Sequence, residues 1–381
     1  MSRPRAIVAG GGPVGLAFAC ALPEFDVTVV EAAAPVVPAA ELDIRVYALS
    51  PGTRDFLRDL GAWDRLDASR VAPVRRMEIF GDAGAQLAFS ARPSASLAWI
   101  VEAGRLTHAL EEQAESLPHV TVRRGRAAAF GAQASGAWLE IEGGERIEGD
   151  VLVGADGPDS RVRSALGIGF VEEPYAEAAV VAHFGTGEEH GGIARQWFRD
   201  DGVLAWLPMP GACISIVWSA PLAHADALMS LEPEALARKV QEAGASALGE
   251  MKAASRAAKF PLRSIRIAQP VAEGVALIGD AAHAVHPLAG QGVNLGLHDA
   301  RCLAEVLAGR SALERPGDIR LLRRYARSRR EDVTAMQFVT DSLDKLFASG
   351  TPGMRTFRNL GLRLVDSQPW AVDALARHAM R

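Results

Sequence analysis

Short apolar runs ending in glycine recur along this chain and divide it into strand-like and helix-like stretches. Ala6–Ala9 and Asp26–Glu31 (DVTVVE) read as buried strands, with a glycine-rich turn and a helix from about Pro13 to Leu22 between them. Phe56, Leu57, Leu60 and Trp63 recur at helical spacing and predict a helix over residues 51–66. Residues 75–90 predict a β-hairpin around Gly81-Asp82-Ala83-Gly84. A helix over Arg105–Leu117 and strands over 120–123, 137–142 and 151–154 follow. From 176 to 220 the alternation is that of antiparallel strands, with turns at Gly185-Thr186-Gly187 and Pro208-Met209-Pro210-Gly211. A helix near 232–247 and strand-like residues near 260–268 close this section, Val275–Ile278 returns to a buried-strand pattern, and the chain after Gln291 reads as mostly helical.

These elements predict an α/β architecture in which a Rossmann-like nucleotide-binding domain (1–74, 98–175 and 268–300) is interrupted by a mainly antiparallel β-sheet substrate domain (75–97 and 176–267). Residues 301–381 form a helical C-terminal region.

Composition narrows the function classes. Hydrophobic residues make up 49% and charged residues 23% of 381, an ordinary soluble balance. A net charge of −5 with a pI near 6.0 argues against a nucleic-acid partner. Cys20, Cys213 and Cys302 are scattered without paired spacing, which fits a reducing compartment and suggests neither a disulfide framework nor a metal site. No apolar run approaches the roughly 18–20 residues that span a bilayer, and the N-terminus lacks the pattern of a signal peptide. The expectation is a cytoplasmic protein, soluble or at most peripheral at the inner face of the membrane. Six arginines within 320–330 and an amphipathic stretch over 354–364 are the segments that bear on membrane contact; a solvated helix face is the favoured reading of the first, and packing on the nucleotide-binding domain of the second.

Three motifs carry chemistry. Gly10-Gly11-Gly12-Pro13-Val14-Gly15 is a GxGxxG directly after a strand and opening a helix. Gly10 permits the tight turn, Gly12 lets a pyrophosphate approach the backbone, Gly15 permits close helix–strand packing, and the helix N-terminus offers free N–H groups. Glu31, 21 residues after Gly10, suits the hydroxyls of an adenosine ribose. The second motif, Val151–Gly154 running into Asp156-Gly157, places a carboxylate at a strand's C-terminal edge. In the third, Val275–Ile278 delivers Gly279-Asp280, and a loop through Pro287, Gly290 and Gln291 opens a helix at Gly292-Val293-Asn294. Asp280 suits a ribityl chain, and the helix start suits the electron-rich edge of a reduced flavin. Taken singly, each motif also fits a purely structural turn, and the first does not separate NAD from FAD. An NAD dehydrogenase has no use for the second and third, whereas the longer FAD needs contacts from elsewhere in the chain. The combination therefore reads as an FAD-binding domain.

The set GGGPVG, GADGPDSRVR and LIGDAAHAVHPLAGQGVNLGLHDA resembles the class A FAD-dependent monooxygenases of the para-hydroxybenzoate hydroxylase fold, and within them the ubiquinone-biosynthesis hydroxylases. Asp43-Ile44-Arg45, Leu60-Gly61-Ala62-Trp63, Leu207-Pro208 and Ser215-Ile216-Val217-Trp218 are similar to that family's signatures. The resemblance implies FAD as cofactor, NADPH or NADH as electron donor, and O₂ with a lipophilic aromatic small molecule as substrates. It implies hydroxylation of a polyprenylated phenol or quinone precursor through a flavin C4a-hydroperoxide. Hydroxylation of another aromatic metabolite, or an accessory role in a biosynthetic complex, stays open on the same scaffold. Gly10, Gly12, Gly15 and Glu31 would hold the ADP half of FAD, and Arg45 would lie near the pyrophosphate, a surface or ion-paired arginine being its alternative; Arg105 would lie near the flavin, although a helix-surface arginine suits its position better. Asp156 would lie near the cofactor, Asp280 would bind the ribityl chain, and Pro287 with Gly290–Asn294 would flank the isoalloxazine. No metal is expected. His183, Tyr175, Arg195 and Gln196 fall in the sheet-rich region and read as structural. Trp197, Phe198, Leu204, Trp206, Leu207 and Trp218 suit either an apolar channel or the core of that sheet.

Overall fold

The computed structural model describes residues 3–35, 37–81, 84–92, 95–133, 135–284 and 292–348. Pro287, Gly290, Gln291 and the 354–364 stretch lie outside the described residues.

A six-stranded sheet runs in the order Val271–Ala272, Val275–Leu277, Val151–Gly154, Arg5–Ala9, Asp26–Glu31 and Val120–Arg124, every pair parallel except the first. Alternation sorts its apolar residues onto two covered faces. Ala6, Val8, Val27, Val29, Val151 and Val153 share a core with Leu16 and Phe18 of the helix Pro13–Cys20, Leu106 and Leu110 of the helix Ala103–Ser116, and Leu297 and Leu303 of the helix Gly292–Ala308. Ile7, Ala9, Val30, Leu152, Val275 and Leu277 join Leu139 and Ile141 of a three-stranded antiparallel sheet. Burial on both faces explains why these strands read as near-continuous apolar runs. The long helix Ile319–Ala348 adds Leu321, Leu322 and Tyr325 to the first core, and the Tyr325 hydroxyl donates to the Leu277 carbonyl at 2.9 Å.

A second, larger sheet follows the order Met251–Ala253, Val171–Thr186, Cys213–Pro221, Gly202–Met209, Ile193–Arg199, Arg76–Phe80 and Gln86–Ser90, with Ala258–Arg266 also paired to Val171–Thr186. It is antiparallel except where Ile193–Arg199 meets Arg76–Phe80. The helices Leu222–Met229 and Pro233–Ala243 cover one face, burying Leu204, Trp206 and Trp218 among Leu228, Leu236 and Val240. Trp206 and Trp218 are each at most 1% exposed, so both are core residues and not channel lining. A small sheet of Val46–Leu49, Ala98–Glu102 and Ala72–Val74 lies against the other face through Ile100, Val74, Ala194 and Met209. Among the described residues no helix is long and apolar enough to cross a membrane.

Two sequence expectations change in detail. The helix expected over 51–66 stops at Asp59, because Gly61 adopts a φ of +79° and only a short 3₁₀ turn follows at Trp63–Arg65. The hairpin strands form as expected, whereas the helical reading near 232–247 missed the preceding helix Leu222–Met229.

Replacing Trp218 by alanine should therefore cost about 3–5 kcal/mol of stability, as for other large-to-small core changes. Urea unfolding checks this; an unchanged stability with an altered preference for substrate tail length would instead mean a channel wall.

Candidate active site

The parallel register brings the three motifs to one edge of the first sheet. The Gly10 N–H donates to the Val30 carbonyl at 2.9 Å, the Ala155 N–H to Ala9 at 2.8 Å and the Ile278 N–H to Gly154 at 2.9 Å, so the ladder extends one step into each motif loop. Gly10 has a φ of +107°, and a Cβ there would lie 2.3 Å from the Ala155 carbonyl oxygen. A Cβ on Gly15 would lie 2.1 Å from the Gly10 carbonyl oxygen, and one on Gly296 3.1 Å from the Gly279 Cα. Gly12 differs: it caps the helix Pro13–Cys20 with a φ of −70°, no side chain caps that helix, and a Cβ would meet nothing within 4 Å. Open space over uncapped N–H groups is what a pyrophosphate requires.

Glu31 stands beside this loop. Its carboxylate accepts from the Gly11 N–H at 2.6 Å and the Ala33 N–H at 2.7 Å, which fixes its orientation and leaves lone pairs for a ribose. Asp156 accepts through Oδ2 from the N–H groups of Arg161 (2.7 Å) and Val162 (3.1 Å), while its Oδ1 is buried without a protein partner. Gly157 follows with a φ of +80°. Asp280 presents an exposed carboxylate that protein nevertheless crowds closely. That crowding pushes its carboxyl above the usual range, with Asp299 adding to the rise and His283 and Arg263 opposing it. The residues present thus fit an extended dinucleotide: an open cradle at Gly12, a carboxylate fixed at Glu31, an unpartnered oxygen at Asp156 and an accessible one at Asp280.

Other expected site residues are engaged elsewhere. Asn294 turns its side chain away from the helix start, accepting from the Ser50 N–H at 2.9 Å and donating to the Ala48 carbonyl at 2.8 Å. Gly292 and Val293 open the same helix, and Val14 packs at the other side of the contact, close to Gly279. Arg105 bonds Glu102 at 3.0 Å and the Ala39 carbonyl at 2.9 Å, so its guanidinium is not brought to the three motifs. Arg45 is exposed, and its backbone bridges the Asp43 carboxylate and the Ala103 N–H. Arg195 pairs with Glu78 at 3.2 Å.

Two buried carboxylates escaped the sequence reading. Burial alone would raise the Glu102 carboxyl; a two-point bond from Arg70 (both 2.8 Å), the Asp43 N–H and Arg105 outweigh it and hold it below the usual range. Burial likewise opposes the ionised form of Asp299, which is fully enclosed, and contacts with His283 (2.6 Å) and Arg329 (2.7 Å) again win. Asp299 also accepts from the Gly279 N–H at 3.0 Å, so this cluster holds the turn that carries Asp280. The arginine-rich stretch is accordingly not uniform: Arg329 is buried on Asp299, Arg324 bonds Glu314, and Arg320, Arg323, Arg327 and Arg330 are exposed.

The family described as FAD binding domain matches residues 4–340. The chain is 36% identical over 367 residues to the 3-demethoxyubiquinol 3-hydroxylase of Escherichia coli (strain K12), covering 94% of each chain. It is 31% identical to the ubiquinone hydroxylase UbiL of Rhodospirillum rubrum, covering 98% of this chain and 89% of that one. Among solved structures it resembles Pseudomonas aeruginosa PqsL in complex with 2-aminobenzoylacetate, with a TM-score of 0.79 and 23% identity over 95% of this chain and 99% of that one, a likeness of fold.

Gly12→Ala should fold and melt like the parent without cofactor, yet lose FAD affinity by at least about tenfold. Gly10→Ala, strained at positive φ, should lower the melting temperature itself. Fluorescence titration with FAD and thermal unfolding of both variants test this, and the reverse pattern would contradict the cradle. Asp299 has a folded carboxyl below its unfolded one, so its stabilisation is complete above roughly pH 4 and lost as pH falls through the lower folded value. Asp299→Asn should therefore flatten the acid limb of the melting temperature against pH.

Proposed function

The chain belongs to the FAD binding domain family and is an FAD-dependent monooxygenase, and from that premise we propose that it hydroxylates the aromatic ring of a polyprenylated phenol or quinone precursor in ubiquinone biosynthesis. The observation that carries this reading is identity sustained along nearly the whole of both chains with the Escherichia coli hydroxylase. NADPH or NADH is the electron donor in this reading, and O₂ the second substrate.

FAD supplies the redox chemistry when bound. The chain's own residues bind and orient. Gly10, Gly12 and Gly15, with the first turn at Pro13 and Val14, seat the pyrophosphate; Glu31 takes the adenosine ribose; Asp280 takes the ribityl chain. Arg45 adds positive charge beside the pyrophosphate. Asp156 and Gly157 shape the middle of the groove, and the N–H groups at Gly292, Val293 and Asn294 face the electron-rich end of the ring system. Arg105 acts at one remove, through Glu102.

With FAD-loaded protein, a polyprenylated phenol should stimulate NAD(P)H oxidation by about tenfold or more and give a hydroxylated product. Equal stimulation by untailed phenols would point to another aromatic metabolite, and no stimulation by any phenol to an accessory role.

A further inference from the structure

His183 lies on the strand Val171–Thr186 of the larger sheet and is fully buried, paired across the ladder with Ser215. Its backbone is pinned on the other side: the His183 N–H donates to Ser255 Oγ at 2.9 Å, and the Ala254 N–H donates to the His183 carbonyl at 2.8 Å. The imidazole reaches out of its own sheet to the Asp43 carbonyl, with Nε2 at 2.9 Å. A carbonyl only accepts, so Nε2 carries the proton. Nδ1 is buried without a protein partner. Burial pushes the imidazole below the usual histidine range, against the Asp43 carbonyl and the charges of Glu102 and Asp43, so the ring is the neutral donor.

Asp43 is the hub of the segment that leads to Arg45. Its N–H donates to Glu102 at 2.8 Å, while its carboxylate accepts from the Arg45 N–H at 3.0 Å and the Gly104 N–H at 2.8 Å. Arg45 in turn accepts from the Ala103 N–H at 2.9 Å. These bonds fasten the segment to the strand and helix around Glu102 alone. The carbonyl of Asp43 goes to His183, on the other sheet. Beyond Arg45 the chain continues into the strand Val46–Leu49, where the Ala48 carbonyl accepts from the Asn294 side chain at 2.8 Å and the Ser50 N–H donates to it at 2.9 Å, so this segment runs beside the third motif.

We propose that His183 is a positioning residue, which through the Asp43 carbonyl holds the segment bearing Arg45 against the cofactor from the substrate-side sheet. Its role is to link the two sheets where the cofactor groove meets the substrate side. The inference rests on the reading of Arg45 as a cofactor-side residue.

Two variants separate positioning from packing. His183→Leu keeps volume but cannot donate; His183→Gln places an amide N–H near the lost Nε2. The first should raise the FAD dissociation constant by about tenfold and speed amide exchange over 39–45, while amides of the helix Pro233–Ala243 stay protected. The second should restore both to within about twofold. Unchanged FAD binding and exchange in His183→Leu, or no rescue by His183→Gln, would overturn the proposal. If His183→Leu does not fold, the parent decides: histidine-selective ¹⁵N NMR, with the signal assigned by its loss in His183→Gln, should show an Nε2–H tautomer, and an Nδ1–H tautomer would overturn it. Failure of the parent itself to take up FAD would sink the cofactor reading instead.

Discussion

Parallel pairing of Arg5–Ala9 with Val151–Gly154, and of that strand with Val275–Leu277, makes three segments far apart in sequence leave the sheet at one edge. Each ladder continues one hydrogen bond past its strand, so the loops after Ala9, Gly154 and Leu277 start from fixed points. Everything at the site follows from that convergence. The glycines are its steric consequence: backbone approaches of 2.1–2.3 Å to a hypothetical Cβ leave no room for a side chain at Gly10 or Gly15. Within the first motif Gly12 is spared where Gly10, Gly11 and Gly15 are crowded, and its space is therefore available to a ligand.

Two clusters of buried charge brace this edge from below. A buried carboxylate is costly unless several donors satisfy it, and both Glu102 and Asp299 are satisfied several times over. Glu102 gathers Arg70, Arg105 and the Asp43 N–H, and so fixes the segment that leads to Arg45. Asp299 gathers His283, Arg329 and the Gly279 N–H, and so fixes the turn before Asp280. In each case a strong interaction acts on loop backbone, which would otherwise be the least constrained part of the fold.

Much of this was legible in the sequence because its causes are local. Glycine spacing after an apolar run reports a turn that must be tight, and a carboxylate at the next strand's end reports its edge. The hairpin over 75–90 and the capped strand at Val151–Gly154 follow from similarly short-range patterns. What stayed hidden is tertiary. Alternation shows that the larger sheet has two faces but not which one the helices cover, so Trp206 and Trp218 were equally readable as channel or core. Arg105 was readable as a cofactor-side or a helix-surface arginine, and nothing in the sequence shows that the Ala39 carbonyl, 66 residues away, shares its guanidinium with Glu102. His283 gave no sign of its partner Asp299, 16 residues on, nor Asp299 of Arg329.

If the three converging motifs form one cradle for one flavin, the full chain takes up FAD. Purification of the full chain followed by absorbance spectroscopy and FAD titration tests it most directly. A yellow protein that binds FAD at one equivalent per chain is the expected result. A colourless protein that takes up no FAD would contradict the account.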